Sequence, residues 1–370
     1  MNKQKVAVLG GGIQGICVAL ALAKDPRYII HLIDKNKSLL QETSLINEGK
    51  IHLGFVYALD DTFQTAERML HDGLSFAPTL EYLVGHKIDW GRISSSRFEY
   101  LVSQHSMVGK DLLLEYYHKI NDCYQTLKDD DLLHYLGNRL DSLLPPLEVA
   151  GLDNFGEIKA GVVTEEKSVN TIKLRRILLE AVSASTSIHT ETDCLISHIR
   201  RDVSGFRLTG EKSHAAWQEN FDIVVNCLWT GRLQLDQQMG MLPDFKWIYR
   251  KKYRLLAMLP TELQWLKSYT IVQGQFGDLV NYETSQETYL SWYPSCMKGL
   301  SHEVTPPKSW SEEADQEQII RESLTSLNRI FPGIEMARVL NLSSGVIFAR
   351  GKTDISDVES ELHTRFEQRV

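Results

Sequence analysis

Apolar and polar positions alternate along this chain in two rhythms, and the alternation of those rhythms is the first structural fact it offers. Val6 to Leu9 is an apolar run too short for a helix and reads as a strand. Ile16 to Lys24, rich in Ala and Leu, reads as a helix, and Tyr28 to Ile33 as a second strand. From Asp61 to Val84, Phe63, Ala66, Leu70 and Leu74 recur at helical spacing, and Pro78 is expected to break or kink that helix. Ile88 to Ser103 alternates in places and predicts two strands; Gly109 to Leu127 predicts a helix. Pro145-Pro146 marks a loop, and Ala160 to Thr164 a strand. Asn170 is positioned to cap a helix over Thr171 to Ala184, with Ile172, Ile177, Leu178 and Val182 facing a core. Strands are expected near Ser187–His189, Leu195–Arg200 and Phe206–Leu208, and the continuous run Ile223–Val225 suits a buried parallel strand. Residues 246 to 296 are strand-rich and aromatic, Glu313 to Arg329 is helical, and Leu340 to Phe348 is a last strand broken by Gly345. Strands interleaved with helices predict an α/β protein.

Composition narrows the class. A chain of 370 residues fits two intertwined domains, and 43% hydrophobic with 24% charged residues is ordinary for a globular protein. The net charge of −8, with no basic stripe, argues against nucleic acid as a partner. Five scattered cysteines, with no C-x-x-C pair, read as small buried hydrophobes in a reducing, cytoplasmic setting. No metal-ligand spacing is present, and Asp129-Asp130-Asp131 reads as a solvated helix start. Val6 to Ala23 is nearly long enough to span a membrane, but four glycines cluster in its first half, so no transmembrane segment is expected.

Those glycines carry the sharpest chemistry. Gly10-Gly11-Gly12-Ile13-Gln14-Gly15 lies between the first strand and the first helix, and Asp34 ends the second strand 19 residues after Gly15. Strand, G-x-G-x-x-G, helix, strand and acid together form a dinucleotide-binding unit. Gly10 permits the tight turn, Gly12 lets backbone approach a pyrophosphate, and Gly15 lets helix and strand pack closely. Free N–H groups at Ile13 and Gln14 and the positive end of the helix dipole suit phosphates. Asp34, with Lys35 beside it, is placed for the ribose hydroxyls. These residues alone do not separate NAD from FAD.

Four blocks over most of the chain resemble the FAD-dependent oxidoreductases of the D-amino-acid oxidase and glycerol-3-phosphate dehydrogenase group. The first is Gly10–Gly15 with Asp34. The second is Asn47-Glu48-Gly49-Lys50-Ile51-His52-Leu53-Gly54, similar to the family's segment that crosses the flavin ring. The third is Val163 to Asn170 leading into a helix, with Asp222 to Gly231 after it, and the fourth is Ser344-Gly345-Val346-Ile347-Phe348. The resemblance implies a discontinuous Rossmann-like FAD domain of the glutathione-reductase type (1–85, 160–235 and 336–370). It also implies a mostly antiparallel substrate domain (86–159 and 236–335). It implies non-covalent FAD, a small-molecule substrate, and an electron acceptor that the sequence leaves open. Thr230, Gly231 and Gly345 join Gly10, Gly12, Ile13, Gln14, Gly15, Asp34, Lys35, Asn47, Gly49 and Lys50 as expected cofactor-binding residues.

His52, flanked by glycines near the flavin, is the expected base, with a local backbone role as the alternative. Where the family's closing strand carries a substrate-clamping arginine, this chain has Ile347, so Arg350, three residues on, is the candidate cation. Tyr253 is expected on the pocket wall, as Tyr249, Tyr282 and Tyr293 could be. Glu165 and Glu166 are read as surface acids, and Asn226 as a local backbone partner. The family continues into a glycine-rich loop and a helix pointing at the flavin. The sequence given ends at Val370 before such a segment, so either it is truncated or the flavin end is open or completed otherwise. The expected activity is removal of hydride from a CH–OH or CH–NH carbon, with hydroxy acids or polyols favoured by His52 and Ile347. Amino-acid oxidation, a non-catalytic FAD protein and an NAD enzyme are the alternatives.

Overall fold

The protein is described by a computed structural model covering residues 3–274, 276–282, 285–311 and 315–364. Strand β1 (Gln4–Leu9) turns through the glycine segment into helix α1 (Ile13–Leu22) and strand β2 (Tyr28–Ile33). Then follow α2 (Thr43–Ile46), β3 (Lys50–Ile51), α3 (Gln64–Val84), β4 (Phe98–Ser103) and α4 (Lys110–Leu127). The middle of the chain holds β5 (Ile158–Val163), β6 (Lys167–Ser168), α5 (Thr171–Ala184), β7 (Ile188–Glu191), β8 (Cys194–Asp202), β9 (Gly205–Lys212), β10 (Ala215–Phe221), β11 (Ile223–Asn226) and α6 (Arg232–Gln238). The last part holds β12 (Trp247–Met258), β13 (Ser268–Val272), β14 (Gly277–Asn281), β15 (Thr288–Trp292), α7 (Tyr293–Cys296), β16 (Met297–Ser301), α8 (Gln316–Asn328) and β17 (Arg338–Arg350).

Two layered units result, and the fold is α/β. In the first, four parallel strands run in the order β11-β1-β2-β7, the Rossmann-like arrangement the glycine segment requires. Val6 to Leu9 are fully buried, as a central parallel strand covered on both faces should be. One face packs on α1, α3 and α5 through Ile16, Ala19, Leu70, Leu74, Leu174 and Leu178. The other packs on the antiparallel sheet β10-β9-β8 through Leu9, Ile33, Cys194, Leu208 and Phe221. The second unit is an eight-stranded, mostly antiparallel sheet, β16-β12-β15-β14-β13-β4-β5, with β17 lying along β12. Its outer face buries Leu255, Tyr269, Leu290 and Trp292 against Ile319 and Leu327 of α8.

Several expectations are corrected. Helix α3 runs through Pro78; the Leu74 carbonyl that Pro78 cannot bond accepts instead from the His134 N–H at 3.1 Å. Ile88 to Ser103 forms one strand rather than two, because the Ser94–Ser96 run is tied to Ser168 and Asn281 by its backbone. Asp129–Asp131 follows α4 instead of starting a helix; Asp130 accepts from the Leu132 N–H and Asp131 pairs with Arg139. Asn170 caps α5 as expected, accepting from the Ile172 and Lys173 N–H groups, but Ile172 itself is half exposed on the outer side of the first turn. β11 is parallel to β1 but half-buried, being an edge strand. β10 was not legible, its seven residues being mostly polar or small. Helix α8 starts at Gln316 under an Asp315 cap; Glu313 lies outside the described residues. β17 is unbroken at Gly345 and pairs with β12 from Arg350↔Trp247 to Arg338↔Met258. It therefore belongs by hydrogen bonding to the large sheet.

Candidate active site

A cleft of about 740 Å³ opens where β1 meets α1, within the range of roughly 300–1,000 Å³ usual for cofactor and ligand sites. Its floor is Gly10, Gly11, Gly12, Ile13 and Gln14, and its walls include Asp34, Lys35, Thr230, Gly231 and Gly345. The glycines are required by geometry. Gly10 has φ +98°, and a Cβ there would stand 2.4 Å from the Cys227 carbonyl oxygen. A Cβ on Gly15 would stand 1.8 Å from the Gly10 oxygen, so this glycine serves helix–strand contact and does not line the cleft. Asp34 is buried and accepts from the Gly11 N–H at 2.6 Å and the Asn36 N–H at 2.7 Å. These bonds fix its carboxylate at the cleft wall, and each oxygen keeps a second lone pair for a ribose hydroxyl. Lys35 is exposed and pairs with Glu42. A glycine floor at a helix N-terminus with a fixed acid opposite fits the adenosine and pyrophosphate of FAD.

The cleft does not end there. Thr43, Ile46, Asn47 and Gly345 line both it and a second cavity of about 280 Å³ between α2 and the inner face of the large sheet. His52, Lys50, Tyr253, Arg250, Lys252 and Arg254 border this second cavity, and so does Ile347. The two spaces thus share one wall, at the place where the flavin end of a cofactor reaching from Asp34 is expected.

At that junction the chain assembles a layered set of charges. His52 presents Nδ1 at 3.7 Å from Glu166 Oε1, with its ring edge on Tyr57 at a centroid distance of 5.8 Å. Glu166 is fully buried, accepts from the Leu53 N–H at 2.6 Å, and accepts the Tyr100 hydroxyl. Burial opposes its charge, yet His52, the Lys50 ammonium and the Leu53 N–H together hold its carboxyl below the usual range. Burial and the Glu166 charge push the Tyr100 phenol well above its ordinary value, so it remains a donor to that carboxylate. Lys50, whose side chain is 2% exposed, donates to Asp278 Oδ1 at 2.8 Å and to the Thr270 hydroxyl, with Phe98 beneath its ammonium at 3.9 Å. Despite burial, Lys50 and Lys252 keep the Asp278 carboxyl below its normal range.

The predicted residues are therefore sorted by the fold. Gly10, Gly12, Ile13, Gln14, Asp34, Lys35, Thr230, Gly231, Gly345 and Asn47 line the cofactor cleft, and His52 faces the cavity that adjoins it. Asn47 uses its amide locally, donating to the Thr43 carbonyl and accepting from the Gly49 N–H. Gly49 lines neither space; φ +70° and a Cβ position 2.0 Å from the Val169 oxygen show that it serves the β3–β6 approach. Lys50 is committed to Asp278, away from the cofactor cleft. Tyr253 borders the cavity, but its ring belongs to the outer core with Leu255 and Trp292. Arg350 is not brought to the cavity: β17 carries it past Ile347 to the far end of the strand, where it packs on Phe245. Glu165 and Glu166 are buried rather than surface acids, Glu165 pairing with Arg97. Asn226 does serve locally, donating to the Arg232 carbonyl and Asp236. Glu166 behind His52, and Arg250, Lys252 and Arg254 on the cavity wall, were not singled out from the sequence; the basic alternation Arg250-x-Lys252-x-Arg254 was the available signal.

Among the described residues, His31, Glu191 and Glu219 also bring ligand atoms within 4.8 Å of one another, but Lys212 and Lys5 already pair with the two carboxylates. No helix among them is long and apolar enough to cross a membrane.

Comparisons with known proteins agree with this geometry. The model of the FAD-dependent oxidoreductase family named DAO matches residues 5–354. Comparison with curated protein sequences returns no match. Among solved structures, the chain is similar to glycine oxidase from Geobacillus kaustophilus, with TM-score 0.63 and 15% identity over 95% of this chain and 84% of that one. It is similar to L-amino acid deaminase from Proteus vulgaris, with TM-score 0.62 and 13% identity over 95% and 84%. It is also similar to the FAD-bound L-alpha-glycerophosphate oxidase from Mycoplasma pneumoniae, with TM-score 0.60 and 14% identity over 94% and 83%. At these identities the structures speak for the fold. The family model spans nearly the whole chain, and the protein belongs to the DAO family of FAD-dependent oxidoreductases, an enzyme family whose cofactor is FAD.

Proposed function

We propose that this protein oxidises a CH–OH carbon of a small polar metabolite, a hydroxy acid or polyol, with His52 as the base. The observation that carries the reading is the His52–Glu166 pair, which opens on the cavity where the cofactor cleft joins it. FAD, when bound, accepts the hydride equivalent from the substrate carbon. Asp34 would hold the adenosine ribose and the Gly10–Gly12 turn the pyrophosphate, with Thr43, Asn47 and Gly345 at the flavin end.

The residues of the chain then have separable tasks. His52 turns Nδ1 toward Glu166 at 3.7 Å, beyond hydrogen-bond distance, and Nε2 is the nitrogen left to act as the base for a substrate hydroxyl. Tyr100 and the Leu53 N–H fix the carboxylate so that it neither turns away nor takes the proton itself. Buried aromatic side chains behind the pair, Phe55, Tyr100 and Tyr117, keep water from the Glu166 side.

Amine or amino-acid oxidation is the second reading, and two of the similar structures, a glycine oxidase and an L-amino acid deaminase, support it at the level of fold. Anaerobic bleaching of the purified yellow protein against hydroxy acids, polyols and amino acids separates the two. The first reading expects bleaching by a hydroxy compound. It also expects a His52→Gln variant that keeps its flavin but is slowed about 10²- to 10⁴-fold. Bleaching by amino acids alone supports the second reading, and an unimpaired His52→Gln variant removes His52 from the chemistry.

A further inference from the structure

The cavity beside His52 has one wall whose chemistry the hydride step leaves unused. It is the inner face of β12, where strand alternation sets Arg250, Lys252 and Arg254 on one side, with Lys251, Tyr253 and Leu255 on the other. The opposing strand supplies no cation there: in register, Arg250 faces Ile347, Lys252 faces Gly345 and Arg254 faces Ser343.

The three cations are not equivalent. Arg250, 2% exposed, is spoken for in part: its Nη1 donates to the Tyr293 hydroxyl at 2.9 Å and to Asp354 Oδ1 at 3.1 Å. Its Nε is buried without a partner among the described residues. Lys252 makes no ion pair within 4 Å among them, although its charge adds to that of Lys50 on Asp278; its ammonium lies 5.4 Å from the centre of the Tyr293 ring. Arg254 donates its Nε to the Ser343 hydroxyl at 3.0 Å and, among the described residues, makes no ion pair with an acid within 4 Å. On the facing wall, Asp278 is already committed to Lys50 and Thr270. That leaves Glu48 as the remaining acid lining the cavity among the described residues, against two unpaired cations and the open Arg250 Nε. A half-buried guanidinium without a counter-charge carries a desolvation cost, visible as the burial that lowers the Arg254 pKa.

We propose that Lys252 and Arg254, floored by Arg250, form an oxyanion subsite that holds a carboxylate or phosphate of the substrate and so selects an anionic substrate. This rests on the reading of the cavity as the substrate site. Two residues apart on one strand face, the two side chains start about 7 Å from each other, a span that one carboxylate or phosphate can bridge through their flexible stems. The subsite occupies the side of the cavity bordered by Gly345, so an anion seated there sets the rest of a short substrate toward His52.

The test uses the purified full-length protein with inorganic phosphate and acetate as probes, and acetamide and equal-strength chloride as controls. Binding is read twice, as a perturbation of the flavin spectrum and as a shift in the tryptophan-monitored melting temperature, which needs no flavin. A colourless protein would fail the cofactor reading while the melting shift still reports on the subsite. Saturable binding of phosphate or acetate, and none of acetamide, is expected. Arg254→Met and Lys252→Met should each weaken it about 10- to 100-fold. Arg254→Lys should recover part of the loss, and Ser343→Ala, which keeps the charge, should stay within about twofold. Tighter phosphate assigns a phosphate-bearing substrate, and tighter acetate a carboxylate. The proposal is overturned if neither anion binds saturably, if acetamide binds as well, or if the double variant binds as tightly as the parent.

Discussion

The adenosine cleft and the cavity beside His52 adjoin, yet they are made of different material. The cleft is made by backbone: glycines at Gly10, Gly12 and Gly15, a helix N-terminus, and one acid fixed by two N–H groups. The cavity is made by side chains: the His52–Glu166, Lys50–Asp278 and Arg250–Asp354 pairs and the cations of β12. The acid of the cleft and the N–H that fixes it, Asp34 and Gly11, are 23 residues apart, whereas Lys50 and Asp278 are 228 apart. Shape built from backbone tolerates no added atom, while charge built from side chains tolerates changes of shape but not the loss of one partner.

That contrast can be broken by mutation, and the largest effect is expected in the backbone-built half. Gly15→Val places carbon within 2 Å of the Gly10 oxygen position, so α1 must leave β1. The variant should purify without flavin and melt well below the parent, as absorbance and thermal denaturation will show. A yellow Gly15→Val protein would mean that the cleft is not rigid in the way described.

Glu166→Ala should come next. It strands the Leu53 N–H, the Tyr100 hydroxyl and the His52 ring together, at a cost of about 3–5 kcal/mol in chemical denaturation. FAD affinity, set in the other half, should change much less than stability. In the parent, the depressed Glu166 carboxyl contributes stability that is full above its ordinary value near 4.5 and lost as the pH falls below it. The Ala variant should lose that part of the acid sensitivity.

Glu99→Gln gives the smallest and opposite change. Glu99 sits on β4 beside Tyr269, and burial pushes its carboxyl up to about 6. A raised carboxyl contributes stability below its unfolded value near 4.5, and this is lost as the pH rises through about 6. The Gln variant should therefore gain on the parent by about 1–2 kcal/mol between those limits. Equal pH profiles would show Glu99 to be better solvated than its burial implies.

The same contrast explains what the sequence disclosed. Gly10, Gly12, Gly15 and Asp34 were legible because one residue type at one spacing dictates one backbone path. β2 and α5 were legible to the residue, since an apolar run and an Asn cap are local facts. Glu166 was read as a surface acid because nothing near it in sequence shows that Tyr100, 66 residues earlier, and Leu53, 113 residues earlier, enclose it. Arg350 was read as the candidate cation because its nearness to Ile347 along the chain was visible, whereas the β12–β17 register, which sets Arg254 beside Ser343, was not. The pairing of Lys50 with Asp278 was hidden for the same reason, Asp278 lying on a strand the sequence could place but not pair.

The central claim is that one cofactor runs from Asp34 through the shared wall to His52. A crystal structure of the protein with FAD tests it directly. The adenosine ribose should lie within hydrogen-bond distance of Asp34, and the flavin ring should pack on the Asn47 segment and Gly345, with His52 at its edge. A ribose away from Asp34, or a flavin ring outside the wall shared by the two cavities, would contradict the account.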